Sequence, residues 1–273
     1  MSASGQGAPI LQVALPFTPW ADPALSRLPG MKPVEGAWIV VDEAYGAQMA
    51  ERARLLATRR DAVLQSLPGS EAAEAELLAY ALGHLPPAFR AEGATVTCPD
   101  GRVVPTDGAP LAVLSTLLQE DLLILQKRGG EHVLTAGLLC FPASWTLSEK
   151  IGRPLTRIHA PVPVYAGAVA GRVQRLFDRV PAGRAMWRCN ALGYADPDLH
   201  HPRVEAAPHR SEAPRYLRCE RQSVLRLPGT GAIVFAVHTY VLRPEALTPA
   251  QRAGCPIRFA GQGAAKCFES FSP

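Results

Sequence analysis

No two of the six cysteines, at 98, 140, 189, 219, 255 and 267, stand at C-x-x-C spacing, which excludes the common zinc-ribbon and dithiol redox motifs. A disulfide framework does not suit so long a chain, so reduced thiols and the cytoplasm are the expected setting. No apolar run approaches the roughly 18 residues of a membrane-spanning helix, and Met1 to Pro9 lacks the basic and apolar regions of a signal peptide. Like charges never gather into a block and the net charge is only +4, which leaves nucleic-acid binding without electrostatic support. Three catalytic signatures are missing as well. Gly261-Gln262-Gly263 lacks the third glycine of a dinucleotide fingerprint, no P-loop is present, and no serine occupies a G-x-S-x-G elbow. Ordinary dehydrogenase, kinase and hydrolase chemistry is thereby excluded.

The 273 residues are 48% hydrophobic, enough for a sizeable buried core, while 26 prolines and 23 glycines promise many turns. Residues 1–33 are punctuated by proline and aperiodic, which reads as an extended arm anchored by Leu15, Phe17 and Trp20. Helical periodicity follows from Asp42 to Leu67, stopped by Pro68-Gly69, and again over Glu71 to Leu82, opened by Ser70 and closed before Pro86-Pro87. Ala94 to Cys98 and Arg102 to Pro105 flank a Pro-Asp-Gly turn and predict a small hairpin. The leucines from Leu111 to Gln126 suggest a helix, His132 to Phe141 a central strand, and Val162 to Val180 another helix. Tyr216 to Leu227 and Ala232 to Leu242 predict two strands joined by Pro228-Gly229-Thr230-Gly231. Helices first and strands mixed with helices afterwards give an α+β class, with an arm (1–33), a body (34–245) and a tail (246–273).

Three stretches carry a family resemblance: Gln119-Glu120-Asp121-Leu122; Cys140-Phe141-Pro142-Ala143-Ser144-Trp145 running on through Lys150-Ile151-Gly152-Arg153-Pro154 to Ile158-His159-Ala160-Pro161-Val162-Pro163; and Arg218-Cys219-Glu220-Arg221-Gln222 with Gly231-Ala232-Ile233-Val234-Phe235. Together with Trp38-Ile39 and Asp42-Glu43-Ala44-Tyr45, they resemble the family of the haem-dependent oxidative N-demethylase α subunit over roughly residues 30 to 245. The resemblance implies a PAS-like fold, an antiparallel sheet of five strands with helices on one side, here extended by the N-terminal helical layer. It further implies haem b and oxidative N-demethylation of a small alkylamine such as dimethylamine, with O2 and NADPH-derived electrons, releasing formaldehyde. Two positions depart from the family pattern: Arg188-Cys189-Asn190-Ala191 stands for Arg-x-Asn-Trp, and His238-Thr239-Tyr240 for Arg-Thr-Tyr.

Against that background His159, flanked by Ile158 and a rigid Ala-Pro-Val-Pro segment, suits a proximal ligand of haem iron; its plainer reading is a core or capping histidine. With no C-x-x-C-H the haem would be held non-covalently. Lys150, Arg153 and Arg157 suit haem propionates or form a solvated basic loop. Period-2 alternation puts Arg221 on the more apolar face of its strand with Leu217, Cys219 and Leu225, where it either polarises an iron-bound ligand or closes a buried ion pair. Glu220 shares the other face with Gln222 and either pairs with Arg218 or Arg226 or, if the strand bulges, accepts a cationic amine. His238 points away from Ile233, Phe235 and Val237; it is either distal to the haem or, as favoured here, solvent-facing. His200, His201 and His209 read as solvated loop imidazoles rather than a metal site, because nothing at helical spacing organises them.

The expectation is therefore a haem monooxygenase component with Arg221, Glu220 and His238 at its reaction centre. Its electrons would come from a separate flavin and iron–sulfur reductase, because no redox motif of that kind lies in this chain. A haem-based gas or redox sensor, or a haem-binding module without catalysis, is the alternative class. A sensor would carry an output domain or a long signalling helix, and neither is evident.

Overall fold

The computed structural model describes residues 8–25, 30–160, 168–208 and 212–260, the side chains of 168–170 excepted. In chain order the elements are β1 (Lys32–Pro33), α1 (Tyr45–Val63), β2 (Leu64–Ser66), α2 (Glu71–Leu82), β3 (Arg90–Glu92), β4 (Thr95–Thr97), β5 (Val103–Pro105), α3 (Pro110–Leu117), β6 (Asp121–Arg128) and β7 (Glu131–Leu138). There follow α4 (Leu147–Lys150), α5 (Leu155–Ile158), α6 (Ala168–Arg179), β8 (Met186–Cys189), β9 (Leu192–Tyr194), β10 (Tyr216–Arg226), β11 (Ile233–Leu242) and α7 (Pro249–Gly254). Residues 161–167, the start of the expected helix from Val162, lie outside the described residues.

The main sheet is ordered β1-β8-β10-β11-β6-β7-β2, with β9 pairing β10, and β3-β4-β5 form a small second sheet. Each ladder between these strands is antiparallel. Mixed helix and antiparallel sheet is the α+β class expected. The turns fall where glycine is needed: Gly129 between β6 and β7 and Gly231 between β10 and β11 both have positive φ, 63° and 68°.

Two helical layers cover the sheet, one on each face, and among the described residues the sheet has eight strands, which corrects the expectation of five strands with helices on one side. Leu55 of α1, Leu77 of α2 and Leu114 of α3 pack with Leu122, Ile124, Leu225 and Val234 on one face. Leu147 of α4, Leu155 of α5 and Val173 and Phe177 of α6 pack with Leu123, Leu134, Val224 and Ile233 on the other. Burying each such side chain contributes about 1.5–3 kcal/mol, so the sheet is held from both sides.

The expected helix over Leu111 to Gln126 is corrected. It stops at Leu117, Leu118 is extended (φ −107°, ψ 144°), and Asp121 begins β6. Residues 121–125 are buried on both faces of a central strand, and such a strand shows no polar alternation to set it apart from a buried helix. None of the described helices is long and apolar enough to cross a membrane.

Candidate active site

Alternation along β10 sorts the expected site residues onto opposite faces of the sheet. Val224 belongs to the layer of α4, α5 and α6, and Leu225 to that of α1, α2 and α3. Gln222 and Glu220 therefore share the face of α4–α6, and Arg221 looks toward the N-terminal layer. Sheet register carries the division outward: β8 pairs Arg188 with Gln222, and β11 pairs His238 with Arg221.

On the face of α4–α6, Arg188 Nη1 donates to Gln222 Oε1 at 3.1 Å, and Gln222 Nε2 donates to Glu220 Oε2 at 3.2 Å. Asn190 clasps the same residue twice: its Nδ2 donates to Glu220 Oε2 (2.9 Å) and its Oδ1 accepts from the Glu220 backbone N–H (2.8 Å). Arg218 Nη2 stands 3.7 Å from Glu220 Oε1, while its guanidinium also donates to the carbonyls of Leu199 and Phe141. Glu220 thus reaches this face without the bulge the sequence reading invoked, because alternation alone places it there. Arg226, its other expected partner, donates instead to the carbonyls of Val180 and Phe177.

Beside this chain of polar groups Ser144 holds φ at +63°, the left-handed region that costs a non-glycine residue roughly 1–2 kcal/mol. Two contacts keep it there. Its N–H donates to the His201 carbonyl at 2.9 Å, and its hydroxyl lies 3.1 Å from the Tyr194 hydroxyl. Tyr194 in turn carries the Arg218 guanidinium 5.5 Å over its ring. Strain held by its surroundings is a frequent property of functional segments, and here it sits one residue before Trp145, which packs against the core under α4–α6.

His159 caps α5 in the same layer. Its Nδ1 lies 3.0 Å from the Leu155 carbonyl, which can only accept, so Nδ1 carries the proton and Nε2 the lone pair. Burial, with Lys150 nearby, lowers its pKa and keeps the ring neutral. Of the three basic residues placed near it, Lys150 donates to the Ile158 carbonyl and pairs with Glu205, and Arg157 Nη2 pairs with the same carboxylate at 3.0 Å. Those contacts, Arg157 first and Lys150 second, hold the Glu205 carboxyl down at about 2. Arg153 is exposed. The expected basic loop is thus organised around an acid that sequence reasoning did not single out.

The opposite face carries a buried charge network. His238 is 1% exposed, which corrects the solvent-facing reading: its Nε2 is 3.0 Å from Asp42 Oδ2, and its Nδ1 is 3.5 Å from Glu120 Oε1, an ion-pair contact rather than a well-formed hydrogen bond. Alternation correctly turned His238 away from Phe235, but the side it turned toward is covered by the segment from Trp38 to Asp42. Burial opposes its charge, yet Asp42 and Glu120 outweigh burial and raise its pKa to about 9. For Asp42 the same burial is outweighed by His238, and its carboxyl falls to about 2. Arg221 donates to the Trp38 carbonyl (3.0 Å) and lies 5.3 Å over the Trp187 ring. Burial lowers its pKa. Arg221 and His238 thus stand across the sheet from the layer of His159.

The motif Gln119-Glu120-Asp121-Leu122 proves to be a junction. Gln119 bonds Asp42 and Gln48, Glu120 Oε1 accepts from the Val40 N–H, and Asp121 accepts from Arg52 and from the N–H groups of Cys140 and Phe141. Arg52, fully buried, went unremarked because a lone arginine in a helix rich in Arg and Glu looks like surface. Arg188 and Asn190 were visible only as part of a family pattern. Ala191, where the family usually has Trp, packs with Leu217 and Tyr240 on the far side of the sheet from Glu220. Of the loop histidines, His200 Nδ1 meets the Cys140 carbonyl at 2.8 Å and His201 lies against Tyr194; both are half-buried, which corrects the solvated reading, and His209 lies outside the described residues. Among the described residues no group of three or more His, Cys, Asp or Glu is placed to hold a metal ion.

A family model described as haem-dependent oxidative N-demethylase, alpha subunit-like, matches residues 30–255, from the arm's last residues through β11 to α7. That span includes both faces of the sheet and the entire polar chain from Arg188 to Asn190. By that match, the chain belongs to the haem-dependent oxidative N-demethylase alpha subunit-like family.

Proposed function

We propose that this protein is the haem-binding component of a monooxygenase that removes a methyl group from a small alkylamine, dimethylamine or a relative of it, on a PAS-like fold. The observation that carries the reading is His159: a half-buried neutral imidazole with its Nδ1 proton held by a backbone carbonyl and its lone pair on Nε2, next in sequence to Ile158, which packs on the apolar cluster of that layer. That is the donor state iron ligation requires, and a carbonyl on Nδ1 is the usual means of fixing it. The residues therefore fit non-covalent haem b, with His159 as its protein ligand. Bound haem would supply activation of O2 for oxidising the N-methyl group.

The chain's own part is binding and orientation. Glu220 is 7% exposed and already accepts from two amides through Oε2, which fixes the carboxylate; Oε1, which the Arg218 guanidinium approaches only to 3.7 Å, is the oxygen that would take the amine's N–H. A cation at Oε1 is stabilised by a charge that burial has made less screened. Phe235, opposite Val224, and Val237, opposite Gln222, give the methyl groups an apolar wall. Overall, amine, O2, two electrons and two protons give the demethylated amine, formaldehyde and water. The electrons would come from NADPH through a separate reductase; the family description, alpha subunit-like, supports a partner subunit as such.

Titration of the purified chain with haem, followed at the Soret band, tests the reading. About one haem per chain should bind, His159→Ala should weaken retention at least tenfold or change the axial ligation, and formaldehyde release should need both amine and an added electron donor. Absence of a Soret band after reconstitution refutes it.

A further inference from the structure

Arg188 has an electrostatic deficit that Glu220 offsets only in part and that no other described carboxylate fills. Its guanidinium is half-buried, Nη1 donates only to the neutral amide oxygen of Gln222, and Nε is buried with no hydrogen-bond partner. Among the described residues no carboxylate comes within 4.0 Å of it, and burial lowers its pKa by more than the more distant Glu220 carboxylate restores. A buried cation in this condition is costly until an anion with two acceptor atoms reaches it, and a carboxylate matches the fork of a guanidinium. One residue farther along the chain of hydrogen bonds stands a group of opposite sign with a long ion pair. Glu220 is a buried carboxylate whose nearest cation group, Arg218 Nη2, remains at 3.7 Å from Oε1. Gln222 lies between the two, its amide oriented at both ends, so that the positive and negative groups are held apart at a fixed spacing.

We propose that Arg188, Gln222 and Glu220 form a receptor for a small zwitterion, an N-methylated amino acid whose carboxylate meets Arg188 and whose ammonium meets Glu220. The inference rests on the amine-demethylating reading and names its substrate class. A plain alkylamine satisfies Glu220 and leaves Arg188 as it was, whereas a zwitterion satisfies both. The methyl groups of such a ligand then lie toward Val237 and Phe235.

Calorimetric titration of the full chain with N,N-dimethylglycine and with dimethylammonium, before and after haem loading, tests this. N,N-dimethylglycine should bind at least about tenfold more tightly, as expected for a hydrogen-bonded charge pair. Arg188→Gln should reduce it to the level of dimethylammonium, and Glu220→Gln should weaken both ligands. Equal affinities in the wild type, or an unchanged preference in Arg188→Gln, overturn the proposal. So does the outcome in which Arg188→Gln weakens haem uptake and leaves the preference intact, since the carboxylate is then a haem propionate. Should Arg188→Gln fail to fold, Arg188→Lys keeps the charge and loses the fork, and the wild-type comparison decides by itself. A missing Soret band refutes the haem reading only; a normal Soret band with no ligand preference refutes this inference only.

Discussion

His238 is a buried imidazolium between Asp42 and Glu120, and its titration makes stability depend on pH in a definite direction. With its pKa raised from 6.5 to about 9 on folding, it stabilises the fold fully below about 6.5 and loses that contribution as pH rises through 9. Asp42, lowered from 3.8 to about 2, contributes above 4 and loses its contribution as pH falls through 2. Both shifts describe one ion pair seen from its two ends, so they are not added. A rise from 6.5 to about 9 corresponds to roughly 3 kcal/mol. Urea unfolding should therefore show wild-type stability falling by up to about 3 kcal/mol between pH 6.5 and 10. His238→Gln should be about 3 kcal/mol less stable at pH 6.5, since it leaves two acids buried without their cation, and nearly flat over the same window. An unaltered slope in the variant would place the titrating group elsewhere. Sequence alternation gave the correct side of the strand for His238 and for Glu220. What covers each side was out of its reach, because the partners come from Asp42, Glu120 and Asn190, as far as 196 residues away.

Where elements meet, the same limit has a different cause. Helix α2 was readable to the residue, since Ser70, whose hydroxyl donates to Glu74, and the Pro86-Pro87 pair mark its ends locally. The junction of α3 with β6 was not, because Leu117, Leu118, Leu122 and Leu125 satisfy a helical period by coincidence and the deciding contacts are strand pairs with β7 and β11. Short β9 is a comparable case: nothing in Leu192-Gly193-Tyr194 announces a strand, yet Gly193 pairs with Leu217 because only glycine fits. A Cβ there would lie 2.7 and 2.8 Å from the Pro214 ring and 2.9 Å from Ile257 Cγ2. The proline cannot swing aside, so Gly193→Ala should cost about 1–3 kcal/mol by overpacking and should shift the Tyr194 hydroxyl that contacts Ser144. Gly130→Ala is the control. A Cβ at that position meets no heavy atom within 4 Å, and its unfolding free energy should stay within about 0.5 kcal/mol of wild type. Equal effects at the two positions would mean that β9 is not held by this contact.

The arm joins the two ends of the fold and shields the edge of the charge network. Gln12 exchanges backbone and side-chain hydrogen bonds with Val241 and also reaches Asp42 and the Thr239 carbonyl. Gln251 of α7 donates to the carbonyls of Leu15 and Phe17, and Trp20 returns a bond to the Gln251 carbonyl. Leu15 lies in a cluster with Leu217, Tyr240, Leu242 and Phe259, with Phe17 packed edge-on to Tyr240. All three anchors expected from the sequence therefore make tertiary contacts, since large apolar groups in a proline-rich segment have few other ways to leave water. The arm also keeps water from Asp42 and His238, so loosening it should weaken that pair. Leu15→Ala creates a cavity beneath the arm, and it should cost about 2–5 kcal/mol in chemical denaturation. Hydrogen exchange provides the sharper measurement: the Val241 N–H, which donates to Gln12 Oε1, should accelerate in Leu15→Ala at least tenfold more than the β6 and β7 amides, which accelerate only in proportion to the loss of global stability. If Val241 and the β6 amides accelerate equally, the arm unfolds only with the whole molecule. A selective rise at Val241 shows instead that the arm opens by itself, and the wild-type pH dependence assigned to His238 should then be reduced in the same variant.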